Sequence, residues 1–259
     1  MKMQVLMLKF PHLPEQIFQK LDSASLFKSR EVANSWQNII DGRNYPWLRI
    51  VNIPSILKER NSYLHLAAET GQIEAFKTAF NQEGDKNIKN SCGGTPFHLA
   101  SKNGRFKIVQ LLLKNNDPEI NYNAKDNSDG ITPFHCACEK GNLDVVKIFI
   151  ENAAALSIDL NAKSESGVTA FQIACFFGHL DVVKILVENS ATLNIDLNAK
   201  DSVLCAYAPF LLACHNDHTD LVKIFMENAE KFGIDLNAKS TYLNNYTGFH
   251  QACLKGNTN

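Results

Sequence analysis

The chain has 259 residues, 45% hydrophobic and 20% charged, with a formal net charge of −1. That balance leaves no bulk electrostatic case for nucleic acid or an anionic membrane, and no apolar run approaches the ~20 residues that span a bilayer. Seven cysteines, an odd number in a long chain and without a CxxC pair, argue against a disulfide framework and remove the strongest zinc signature.

Residues 1–10 form a mildly apolar N-terminal tail, too short and interrupted for a secretory signal and followed by Pro11. A cytoplasmic or nuclear protein is expected. Residues 11–50 form a different unit. Leu13, Ile17 and Leu21 recur at i, i+4, i+8 beside Phe18. After a break at Asp22–Ser25 comes Leu26, then a second helical stripe of Val32, Trp36, Ile39 and Ile40. A helical unit this small rarely folds unaided, so it has to pack on something.

These residues resemble an F-box. Leu13-Pro14 opens it, Leu21-Asp22 and Leu26 follow, Val32 and Trp36 sit at the family spacing, and Trp47-Leu48-Arg49 matches the usual end. One departure stands out: the stretch from Leu-Pro to Leu21 is about four residues short, roughly one helical turn. The resemblance implies docking on the Skp adaptor of a cullin–RING ubiquitin ligase through Leu13, Pro14, Ile17, Phe18, Leu21, Leu26, Val32 and Trp36. Residues 51–60 read as a linker.

From residue 61 the chain repeats. Leu64, Phe97, Phe134, Phe171, Phe210 and Phe249 recur at spacings of 33, 37, 37, 39 and 39. Gly71, Gly104, Gly141, Gly178, Asp217 and Gly256 keep the same spacings, and two columns in register establish a true repeat. In the units that begin Thr95-Pro96 and Thr132-Pro133, Thr caps a short first helix, Pro occupies its first position, and Gly ends it. A more apolar second helix follows, as in Leu143–Ile150, with Asp144–Lys147, Asp181–Lys184 and Asp220–Lys223 able to pair at i, i+3. A short extended segment, as in Ile158–Ser164, then leads into a turn.

One such unit cannot bury its own apolar face, whereas stacked copies can. The Thr-Pro-Phe-His-x-Ala start, the Gly-x-x-Asp-Val-Val helix and the Asp-x-Asn-Ala segment resemble the ankyrin repeat. The resemblance implies a mainly α solenoid with short β-hairpin tips over 61–259, as five full units and a truncated sixth. The units exceed the 33-residue ankyrin period, so a longer second helix or outer connection is expected. The last unit stops before a second helix, which suggests a truncated end or one that frays.

The stretch Thr132–Gly141 gathers His135, Cys136, Cys138 and Glu139, which invites a metal or nucleophile reading. The columns oppose it. The His135 position is Gln172 in one unit and Leu211 in another, so a hydrogen bond bracing the turn is expected instead. The Cys138 column holds only Ala, Ser or Cys, as tight helix packing requires. Without a nucleophile elbow, P-loop, HExxH or GxGxxG motif, a non-catalytic protein with no cofactor or metal is expected.

Positions that break the repeat are the informative ones. Glu139-Lys140, Phe176-Phe177 and His215-Asn216 end the first helices, where the resemblance implies a concave ligand surface. The next tips carry Val203, Leu204 and Tyr207, then Tyr242 and Tyr246. Exposed apolar and aromatic groups favour partner binding. The expectation is a substrate-recognition adaptor of a Skp–cullin–F-box ligase, its concave face holding a target protein. The alternatives are an ankyrin scaffold or inhibitor whose first helices only cap the stack, or a pathogen or viral mimic of such an adaptor.

Overall fold

The computed structural model describes residues 62–82, 85–114, 116–201, 207–240 and 245–254. The tail, the F-box-like unit with its eight adaptor-facing residues, and the linker lie outside them, as do Val203, Leu204 and Tyr242.

Twelve helices lie among the described residues: α1 (Tyr63–Thr70), α2 (Ile73–Gln82), α3 (Pro96–Lys102), α4 (Phe106–Lys114), α5 (Pro133–Glu139), α6 (Leu143–Asn152), α7 (Ala170–Phe177), α8 (Leu180–Glu188), α9 (Ser190–Leu193), α10 (Pro209–His215), α11 (Thr219–Phe232) and α12 (Gly248–Leu254). The first helices α1, α3, α5, α7, α10 and α12 pack in one row. The second helices α2, α4, α6, α8 and α11 pack in another. First helices of seven or eight residues are too short to persist alone, so caps and neighbours must hold them.

The caps are built as the sequence indicates. Thr132 Oγ1 accepts from the His135 backbone N–H, and Pro133 opens α5. The helix-ending column adopts left-handed backbone, with φ from +64° to +79° at Gly71, Gly104, Gly141 and Gly178. Asp217 holds the same conformation at φ +62° without being glycine.

Small residues let the first helices approach. Ala67, Ala100, Ala137, Ala174 and Ala213 are fully buried, as are Cys138 and Cys175. The second helices supply bulk. Phe149 of α6 packs at 5.3 Å on both Phe134 of its own unit and Phe97 of the preceding one. Phe225 of α11 repeats this with Phe210 and Phe171, both at 6.1 Å. One continuous core therefore runs through the stack.

The extra residues are absorbed in three ways. Residues 153–157 make a turn after α6, α9 adds one helical turn after α8, and α11 extends to fourteen residues. All three return the chain to a buried isoleucine, Ile158, Ile195 or Ile234.

Two expectations need correction. The tips form no strand among the described residues, where one isolated bridge joins Lys163 and Thr169. One or two backbone bonds close a tip, for example Asp126 N–H to Ile131 O at 2.9 Å, or Ser164 N–H to Val168 O at 2.9 Å with Gly167 N–H to Ser164 O at 3.0 Å. An Asx turn precedes them, with Asp159 Oδ1 accepting from Asn161 N–H at 2.9 Å, which leaves too few extended residues for a ladder. Of the three i, i+3 pairs, Asp220–Lys223 closes at 3.8 Å, joined by Glu74–Lys77 at 2.8 Å. Asp144 and Asp181 instead occupy the first turns of α6 and α8, where the helix dipole favours a carboxylate.

Candidate partner-binding surface

The repeated polar residues are engaged in joining units. The His135 ring accepts from the Thr132 N–H at Nδ1 (3.3 Å) and donates from Nε2 to Val168 O of the next unit (3.2 Å). His65 and His98 do the same toward Gly94 O and Ile131 O, both at 2.9 Å. Gln172 substitutes with an Nε2 bond to Tyr207 O at 2.8 Å. Burial pushes the imidazoles of His65 and His135 down to about 4, so they stay neutral with the proton on Nε2. Leu211 holds the position in the fifth unit as a buried apolar side chain.

Two further columns cross the unit boundary. Arg105, Asn142, His179 and His218 each donate to a carbonyl at the end of the preceding first helix, at 2.7–2.9 Å. The repeated Asn reaches the following unit with both ends of its side-chain amide. Asn161 Nδ2 donates to Asn194 O (2.7 Å) while its Oδ1 accepts from Asp196 N–H (2.8 Å). Asn123 and Asn198 repeat this pairing. The equal spacing of the columns was the available signal.

The buried cysteines are packing groups. Cys136 and Cys138 are buried, and burial pushes the Cys136 thiol up to about 12 and raises Cys138 and Cys175 further.

With these residues occupied, the exposed aromatics stand out. Phe176 and Phe177, at the end of α7, are 48% and 50% exposed and meet edge to face at 5.1 Å. Tyr207 stacks on His215 at 5.5 Å. All four line one groove of about 430 Å³ between the first-helix row and the tips, a volume typical of ligand sites. Asp129, Ser166, Ile173 and Asp201 also line it and were not singled out from sequence. Asp129 Oδ1 accepts from both the backbone N–H and the hydroxyl of Ser166, at 3.0 and 2.7 Å, joining adjacent tips.

The other sequence candidates lie elsewhere. Glu139 and Lys140 pair with each other at 2.6 Å. Asn216 turns back to Leu212 O at 3.1 Å. Tyr246 stacks on His250 at 5.3 Å beside a second hollow of about 420 Å³ lined by α12.

A family model described as "Ankyrin repeats (3 copies)" matches residues 47–126, 64–159 and 119–201. No F-box domain was detected. A stretch of 67 residues is 43% identical to the human "Transient receptor potential cation channel subfamily A member 1". It covers 25% of this chain and 6% of that channel protein, so the chain spans a small part of its relative's length. Among the described residues no helix is long and apolar enough to cross a membrane.

Proposed function

The chain belongs to the ankyrin-repeat family, and from that premise we propose that it is a non-catalytic recognition module holding a partner protein against its groove. Ankyrin repeats imply protein–protein interaction. The observation that carries the reading is the half-exposed Phe176-Phe177 pair, set in a cavity beside the Tyr207–His215 stack. Aromatic anchors in a pocket are the groups that dominate binding energy. Phe176→Ala with Phe177→Ala is expected to abolish capture while the fold survives, because both side chains face solvent. Unchanged capture would reject the groove as the site.

The finer reading is a Skp–cullin ligase adaptor at work in the cytoplasm or nucleus. It rests on the F-box resemblance of residues 11–50. Docking there would raise the target's local concentration near the ligase. Co-purification with a Skp adaptor tests it: binding that disappears with Leu13→Ala and Pro14→Ala supports it. No binding at micromolar concentration, with the fold intact, rejects it. The second reading, an ankyrin scaffold or inhibitor, is favoured by the lack of a detected F-box domain. It expects partner capture without any Skp adaptor.

A further inference from the structure

We propose that the groove receives a cationic side chain, arginine above lysine, from an extended apolar–basic segment of the partner protein. This deepens the reading of the groove as the partner site and rests on it.

The groove is lined by the aromatic and apolar Ile173, Phe176, Phe177 and Tyr207 and by the carboxylates of Asp129 and Asp201. No lysine or arginine lines it among the described residues. The two carboxylates differ in their commitments. Asp201 Oδ2 accepts from the Tyr207 N–H at 3.0 Å and is buried. Asp129 uses Oδ1 for both of its Ser166 bonds, and its Oδ2 meets no donor among the described residues. Asp129 is half-buried and shares the groove with Phe176, Phe177 and Tyr207, where a cation is attracted by charge and by the ring quadrupoles together. A planar guanidinium stacks on rings and still donates sideways to a carboxylate, which a compact ammonium does less well. An acidic segment would face carboxylates with no cation to pair with, a net penalty.

The test is a selection of phage-displayed random peptides on the whole chain, with subtraction on the Phe176→Ala/Phe177→Ala protein. Enriched peptides are expected to carry arginine next to an apolar residue. In fluorescence anisotropy with one enriched peptide, arginine-to-glutamate exchange in the peptide should weaken binding at least about tenfold, and exchange to lysine less. Asp129→Asn should weaken binding and flatten its salt dependence. Should the double phenylalanine variant fail to fold by circular dichroism, Asp129→Asn carries the test. Enrichment of acidic or uncharged peptides, no enrichment, or indifference to Asp129→Asn overturns the proposal. Skp capture depends on residues 11–50, so its failure would reject the adaptor reading and leave this result standing.

Discussion

The Nε2–H of His135 donates to the carbonyl of Val168 while its Nδ1 accepts from the Thr132 N–H, so one ring caps its own helix and holds the next unit. His135→Ala leaves the buried Thr132 N–H unpaired and removes the bond to the next unit at Val168 O, which keeps only the Ser164 N–H. The expected cost is about 2–4 kcal/mol in urea denaturation. His135→Gln should cost less than about 1 kcal/mol, because Gln172 makes the same two contacts one unit later. Equal losses for the two variants would show that the ring acts only by volume.

Stability should fall on acidification. His65 and His135 titrate near 4 when folded and near 6.5 when unfolded. Between those values the unfolded chain binds more protons, so stability rises with pH there and is lost as pH drops from 6.5 toward 4. Each imidazole contributes at most about 3 kcal/mol across that window. Urea midpoints from pH 7 to 4 measure the slope, and His135→Gln should reduce it. An unchanged slope would count against these histidines as its source.

Gly141 and Gly233 separate backbone strain from unit contact. Both have positive φ, +66° and +65°. A Cβ on Gly141 would lie 2.6 Å from His179 Nδ1, whereas one on Gly233 meets nothing within 4 Å. Gly233→Ala should cost about 1 kcal/mol and Gly141→Ala about 2–3 kcal/mol in urea denaturation. His179→Ala should recover part of the difference in a double-mutant cycle.

Asn161 bridges two backbone groups of the following unit, while the Asn237 side chain makes no such bond among the described residues. Asn161→Ala should therefore cost about 1–2 kcal/mol and Asn237→Ala less than about 0.5 kcal/mol. Thermal melts of the pair decide it, and equal losses would mean that the bridge contributes nothing.

Thiol reactivity should divide by burial. Cys92 and Cys253 are exposed, and Cys136, Cys138 and Cys175 are buried with raised pKa. Alkylation of the native protein at pH 7.5, read by peptide mass spectrometry, should label the first two well before the other three. Fast labelling of Cys138 would contradict the packing of the first-helix row.

Much of this was legible in the residue columns. Alanine at position 137 and small residues at 138 meant close helices, and Thr132-Pro133 meant a capped start. The tips were harder: Asp-x-Asn makes an Asx turn, and its hydrogen bonds replace the strand pairing that the family likeness suggests. Phe176 and Phe177 were visible as departures from a polar column. Asp129 and Asp201 were not, because they look like ordinary turn acids until the next unit is placed beside them.

The order of helices, their caps and the apolar face of each unit follow from the amino-acid pattern, because they depend on neighbours within about ten residues. Which carbonyl each His and Asn reaches, and which side chains share the groove, depends on partners 29 to 42 residues away. Only the stacking of whole units sets those distances. The groove exists because α7 and the tips of successive units converge there, a relation that no single unit contains.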